Sequence, residues 1–133
     1  MENKRLNAYR YGIRAEQLAT LYLRCKGYRI IASRYRNHAG EIDIIAAKSS
    51  TLIAVEVKAR KHLADCAESI PAAKQAKIAR ALEGFLAGHG SIGTTLNGLA
   101  HPTNHKLYQN IRFDVVWMSP RHWPVHLKDA WRM

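Results

Sequence analysis

The amino-acid sequence predicts an α/β fold, a mixed β-sheet flanked by helices, in the order α-β-β-β-α-β with a short edge strand to follow. Three observations carry this. Two β-rich runs, Ile42–Ala46 and Leu52–Val57, flank a polar break at Lys48–Thr51. That is the pattern of a hairpin, whose strands must be antiparallel. A helical pattern separates the third strand from the fourth, which favours a parallel, right-handed crossover. The 133 residues have ordinary soluble composition, with no repeat and no low-complexity tract. That is enough for one domain with its own core. The expected domain spans 1–133, with a core at 8–118, a long loop at 88–106 and a C-terminal extension at 119–133.

Residues 1 to 7 are polar and basic and read as a loose arm. A helix is expected from about Ala8 to Lys26, because Tyr11, Ala15, Leu18, Ala19, Tyr22 and Cys25 recur at helical spacing. Cys25 is expected to be buried at its end, and Gly27 to stop it. Tyr28–Tyr35 reads as the first strand. The hairpin supplies the next two.

Pro71 suits the first turn of a second helix, with Ser69 or Ile70 as cap, running to about Ala87 with Gly88 as the stop. Its apolar stripe is Ile78, Ala81, Leu82, Phe85 and Leu86. Lys74, Lys77 and Arg80 give it a basic side. Gly88 to Lys106 has no usable period and holds four glycines, Pro102, His89, His101 and His105. A loop of that length is functional or mobile. Pro102 argues against a helical metal pair of His101 and His105. Asn110–Met118 alternates as a strand, with Ile111, Phe113, Val115 and Trp117 on one face. Asp114 lies on the other face and is expected to pair with Arg112 or a neighbouring base. Val125–Lys128 is the edge strand and Asp129–Met133 a tail. Trp117, Trp123 and Trp131 are of a type that stacks on bases, but packing roles are expected for them.

The hairpin carries the chemistry. A two-residue turn at Ser49-Ser50 puts Lys48 opposite Thr51. Counting back, Asp43 falls opposite Glu56 and Glu41 opposite Lys58. Asp43, Glu56 and Lys58 then project from one face, and Ile42, Ile44, Val55 and Val57 fill the other. Facing carboxylates repel unless something offsets the repulsion, and a divalent cation does so. Lys58 would hold a phosphate or a water. These are the parts for metal-assisted phosphodiester cleavage. The plainer alternative is a set of surface ion pairs among Glu41, Glu56, Lys58 and Arg60. Against it stands the apolar run around Glu56 and Lys58, where charge is rare unless paired or metal-bound.

Asp43 with Glu56-Val57-Lys58 resembles the signature of the PD-(D/E)XK nuclease superfamily. The fuller set is Gly40-Glu41-Ile42-Asp43, Val55-Glu56-Val57-Lys58-Ala59-Arg60 and Arg112-Phe113-Asp114-Val115-Val116. It is similar to the YraN-like proteins of bacteria, a family of unsettled role, from Gly12 to about Trp117. The segment 88–106 looks longer than the family's equivalent link. The resemblance implies a restriction-endonuclease-like core. It implies a metal-dependent endonuclease on DNA, with branched or junction DNA among the substrates. Mg²⁺ or Mn²⁺ would sit on Asp43, Glu56 and the carbonyl of Val57, with Lys58 orienting water or steadying the charge of the transition state. Glu16 resembles the helix glutamate that some members bring to the metal, and the exposed helix face is its alternative. Lys74 and Gln75 occupy the place of a polar helix residue near the site. By analogy with resolvases, a homodimer is implied. The alternative function is a non-catalytic module that keeps the fold and binds DNA or RNA.

Charge points the same way. The chain has 21 Lys and Arg against 10 Asp and Glu, a formal +11. A polyanion, nucleic acid first, is the expected partner, DNA before RNA. Arg34, Arg36, Arg60, Lys74, Gln75 and Lys77 are the expected contacts to its backbone. No run approaches membrane-spanning length, and no segment reads as an interfacial helix. The two cysteines lack zinc or Cys-x-x-Cys spacing, which excludes the common metal and redox motifs. The N-terminus lacks the apolar core of a signal peptide, so a cytoplasmic protein is expected.

Overall fold

The structure, a computed structural model, describes residues 2–88 and 108–133. Its elements are α1 (Glu2–Cys25), β1 (Arg29–Asn37), β2 (Gly40–Lys48), β3 (Thr51–Ala59), α2 (Ala72–Leu86), β4 (Asn110–Met118) and β5 (Val125–Trp131), with a 3-10 turn at Leu63–Ala67. The expected loop 88–106, with its three histidines, lies outside the described residues apart from Gly88.

The strands form one five-stranded sheet in the order β1-β2-β3-β4-β5. The hairpin register is the expected one, with Lys48 opposite Thr51 and Ile44 opposite Val55. β3 and β4 run parallel on either side of the α2 crossover, and all other pairs are antiparallel. Alternation then splits the core in two. Ile45, Ala47, Leu52 and Ala54 pack with Ile78, Leu82 and Phe85 of α2. Ile44, Ala46, Ile53 and Val55 pack with Ala15, Ala19 and Leu23 of α1. The α/β class and the flanking helices are as predicted.

α1 differs at both ends. It starts at Glu2, and Lys4 to Arg10 are helical yet exposed. This segment has no apolar stripe, so periodicity did not predict it. Lys, Arg, Leu and Ala are good helix formers and extend a helix already anchored by its later turns. The buried stripe is Ala15, Ala19 and Leu23, which turns Leu18 and Cys25 outward. The expectation of a buried Cys25 is therefore corrected. Gly27, at φ +93°, ends the helix. Tyr28 donates its amide to Leu23, and Gly27 donates to Arg24, at 3.0 and 2.9 Å. That bond pair marks a Schellman stop.

α2 begins one residue late. Pro71 is itself the N-cap, and its carbonyl takes the first helical bond from Gln75 at 3.0 Å. Ser69 and Ile70 do not cap it. The helix is tied to β1 through Asn37. The Asn37 amide donates to Ala81 O at 2.9 Å, and its carbonyl oxygen accepts from Ala39 at 2.9 Å. Gly84 makes room for this clamp, since a Cβ there would lie 2.5 Å from Asn37 Nδ2.

The expected tail is instead the end of β5, and the C-terminal extension completes the sheet. Trp131 is buried and stacks on Phe113 at 5.2 Å. Asp114 fastens β5 to β4. It is fully buried and accepts two bonds from Arg112, one from His126 Nε2 at 2.7 Å and one from the Asp129 amide at 3.0 Å. Lys26 sits 2.6 Å from His126 Nδ1, which fixes the ring hydrogen on Nε2. Burial alone would raise the Asp114 carboxyl, but the His126 and Arg112 bonds outweigh it and hold it at about 2.

Removing one partner of such a network leaves the others buried and unpaired. Asp114→Ala is expected to cost roughly 3–5 kcal/mol, read as a lower urea midpoint at unchanged slope. A carboxyl held below its ordinary 3.8 stabilises the fold above that value and loses the contribution as pH falls through about 2. Wild-type stability should therefore drop across that window. The variant, which has no carboxyl to titrate there, should lose less.

Candidate active site

β2 and β3 extend beyond their ladder. Pairing stops at Ile44 and Val55, although β2 reaches back to Gly40 and β3 on to Ala59. The strands part there, and the Asp43 carboxylate fills the seam. Val57 donates its amide to Asp43 Oδ2 at 2.9 Å. In an extended strand a residue's N–H and C=O point to the same side. The Val57 carbonyl is thus turned into the same seam, where β2 offers it no ladder partner.

A second irregularity sits beside it. Arg34 has φ +56°, a left-handed conformation uncommon for a residue with a side chain. The β1–β2 register runs from Ser33–Ile44 to Tyr35–Ile42 with the Arg34–Asp43 pair missing. Across that gap the side chains swap faces. Ile42 joins Tyr35 on the α2 side, whereas Ile44 faces α1. The expected grouping of Ile42 with Ile44, Val55 and Val57 is corrected accordingly. Glu41 does not oppose Lys58 either, since it pairs with its cross-strand neighbour Arg36 at 2.8 Å.

Glu56 and Lys58 share the α2 face of β3, as their spacing requires. Glu56 is 7% exposed and Lys58 8%. Asp43 lies in the seam rather than on that face, but the three converge at one end of the sheet. The Asp43 carboxyl is pushed up to about 8, first by burial and then by the charge of Glu56, with the Val57 amide pulling the other way. Glu16 reaches the same spot from α1. Its carboxyl lies within hydrogen-bonding reach of Asp43 and is raised by burial, while Arg34, 3.8 Å away, lowers it. Among the described residues, no group of three or more His, Cys, Asp or Glu is arranged to hold an ion unaided. The oxygen donors that fit a hard cation are Asp43, Glu56 and the Val57 carbonyl, with Glu16 behind Asp43.

The basic residues divide. Lys74 of α2 makes a close ion pair with Glu56, so it bears on the acidic centre itself. Arg34 faces Glu16, and its guanidinium lies within donating reach of the Tyr9 hydroxyl. Gln75 donates its side-chain amide to Ile70 O at 3.0 Å, bracing the start of α2. Lys77 is exposed and its backbone packs on Gly40. Arg60 is exposed next to the site, and its carbonyl accepts from Tyr11 at 3.1 Å. The ammonium of Lys58 has no hydrogen bond or ion pair among the described residues.

Sequence reasoning missed Tyr9, Tyr11 and the Lys74–Glu56 pair. All three are contacts between distant elements, and no local pattern signals them. The site is an open sheet end. A shallow groove of about 570 Å³ lies elsewhere, at the opposite end of β4 around Thr51, Asn110 and Arg112.

A carboxyl raised above its ordinary 3.8 stabilises the fold fully only below that value and loses the contribution as pH rises through about 8. Asp43→Asn keeps an acceptor for the Val57 amide and removes the charge. In chelator it should be more stable than wild type by roughly 0.5–2 kcal/mol at pH 8, with the gain shrinking towards pH 4. Thermal melts across that range check it.

Known proteins are similar to this chain along most of its length. A family model described as "Uncharacterised protein family UPF0102" matches residues 15–118. A UPF0102 protein of Parvibaculum lavamentivorans is 42% identical over 127 residues, 96% of this chain and 85% of its own. One from Bradyrhizobium diazoefficiens is 40% identical, with the same coverage of each chain. One from Nitrobacter winogradskyi is 39% identical over 95% of both chains. None of these descriptions names an activity.

Proposed function

The chain belongs to the uncharacterised protein family UPF0102, and we propose that it is a divalent-metal-dependent endonuclease of the PD-(D/E)XK kind, hydrolysing phosphodiester bonds in nucleic acid, DNA before RNA. One observation carries the reading. Asp43, in the seam between β2 and β3, lies close enough to Glu56 on the α2 face for the two charges to repel, and Lys58, with no partner for its ammonium among the described residues, stands on the same strand as Glu56.

Each part has a task. Asp43 and Glu56, with the Val57 carbonyl, offer oxygen donors to Mg²⁺ or Mn²⁺. Two carboxylates leave room for waters and phosphate oxygens, which is the coordination Mg²⁺ prefers. When bound, such an ion acidifies water and offsets charge on the phosphate. The Val57 amide holds Asp43 in place, so the carboxylate needs no reorganisation to serve. Lys58, with its stem buried and its ammonium open to solvent, orients the attacking water or stabilises charge on the pentacovalent phosphorus. Glu16, within reach of Asp43 from α1, backs its far side. Arg60 and Lys77, in no ion pair among the described residues, hold the backbone of the strand, with Arg34 and Arg36, paired to Glu16 and Glu41, at its margin.

The Lys74–Glu56 ion pair favours a second reading. Lys74 already supplies Glu56 with a cation. If it stays there, the chain is a nucleic-acid-binding module that keeps the fold without turnover.

Thermal melts and a cleavage panel separate the two. Under the nuclease reading, saturating Mg²⁺ or Mn²⁺ raises the melting temperature, by the equivalent of about 2.7 kcal/mol at a hundredfold excess over Kd. Glu56→Ala removes that rise. The panel holds single-stranded, duplex, flap and four-way DNA, with RNA alongside. Asp43→Ala and Lys58→Ala should each lower cleavage by roughly a hundredfold or more. Cleavage that survives both substitutions overturns the proposal. Salt-sensitive binding with no cleavage in any metal, and no thermal response, establishes the second reading instead.

A further inference from the structure

The connection from β4 to β5 sits at the same sheet end as the acidic centre. Trp117 of β4 pairs with Lys58, and Met118 with Ala59. The chain just beyond is stitched to the exit of β3. Arg60 donates its amide to Met118 O at 3.0 Å, and Ser119 Oγ donates to Lys61 O at 2.9 Å. Out of this base rises Trp123, 86% exposed, the most exposed of the large apolar side chains described. The expectation of a packing role holds for Trp131 and is corrected for Trp123.

A bare indole offers a broad, flat apolar face with a polar edge, and the surroundings say which kind of partner suits it. The turn is Ser-Pro-Arg-His-Trp-Pro, and no acid occurs from Ser119 to Lys128. Arg121, His122, Lys61 and His62 are all exposed around it, and none is in an ion pair among the described residues. Pro120 occupies the second position of a turn closed by the His122 amide on Ser119 O at 3.2 Å, where proline presets the backbone. Pro124 restricts Trp123 to an extended conformation. The ring is therefore offered from a stiff support, which lowers the entropy lost on binding.

We propose that Trp123 is a stacking platform for an unpaired nucleobase a few nucleotides from the phosphate addressed by Asp43, Glu56 and Lys58. Trp117 pairs with both Lys58 and Val125, so Trp123 lies about two strand spacings across and two residues along from Lys58, on the order of 12 Å. That is about three or four steps of a stacked strand at roughly 3.4 Å each. Inside a continuous duplex both faces of a base are covered. A platform therefore selects a single strand, a flap or the edge of a branch. The inference rests on the reading of nucleic acid as partner, and it gives that reading a substrate class.

Fluorescence anisotropy in chelator tests it without requiring cleavage. The probes are labelled oligo-dT, oligo-U, an abasic strand of equal length and a blunt duplex. Trp123→Ala lies on the surface and should leave the fold intact. It should weaken oligo-dT or oligo-U binding roughly tenfold, leave the abasic strand and the duplex unchanged, and be largely rescued by Trp123→Phe. Which oligomer responds more tells DNA from RNA. Equal oligo-dT and oligo-U affinities for wild type and Trp123→Ala would overturn the inference while leaving the nuclease proposal standing. So would a loss confined to anionic vesicles, or a change only in self-association. Failure of the wild type to bind any of the probes overturns both.

Discussion

The hydrogen bond from the Val57 amide to the Asp43 carboxylate decides the shape of this molecule's working end. Where it forms, a side chain has replaced a strand as the partner of β3. The ladder stops, β2 turns its later residues to the other face, and the backbone beyond Val55 is opened to a ligand. An ordinary hairpin of this length would bury those groups in cross-strand bonds. Buried backbone polar groups need partners, so a seam survives in a sheet only if side chains or a ligand fill it. Asp43 fills half. The Val57 carbonyl marks the half left for something else.

Asp114 uses the same device with the opposite outcome. It too accepts an amide from the adjacent strand where pairing is irregular, here Asp129 at φ +55°. Around Asp114 stand Arg112 and His126, and its carboxyl is held at about 2. Around Asp43 stand Glu56 and Glu16, and its carboxyl is driven up to about 8. Burial raises both. The sign of the neighbouring charges separates them. A carboxylate given its cations within the fold is a fastener. One surrounded by other carboxylates is an unmet demand for positive charge, and such demands cluster at functional sites. The sheet thus carries a satisfied acid that holds β5 and an unsatisfied one at its open end.

Much of this was legible in the residues. The hairpin register follows from strict alternation about a symmetric polar turn, so Ile44 could be set opposite Val55 by counting. The parallel pairing of β3 and β4 follows from the helix between them. Gly27 and Gly88 end their helices, both at positive φ. The illegible parts share one cause, which is that tertiary contacts overrode local pattern. Nothing in the sequence around Arg34 announces a left-handed residue, so the swap that moves Ile42 away from Ile44 could not be counted out. Lys4 to Arg10 of α1 lack a stripe and are exposed among the described residues. Asp129–Trp131 reads as a tail until Trp131 finds Phe113. Lys74 reads as a surface cation until α2 is laid against β3 and brings it to Glu56.

The disposition of charge extends the argument from site to substrate. Several cations are already committed: Arg112 to Asp114, Arg36 to Glu41, Arg34 to Glu16 and Lys74 to Glu56. Those near the seam that remain uncommitted among the described residues are Lys58, Arg60, Lys61, Lys77 and Arg121. They come from β3, its exit, α2 and the β4–β5 turn, so they form a track rather than a cup. A small phosphate would be held by convergent donors in an enclosed pocket. A polymer is held by separated charges along an open path, with its affinity set by counterion release. Under the proposed function, a long phosphodiester chain drawn across the open sheet end would meet the acidic seam at one linkage and the cations on either side.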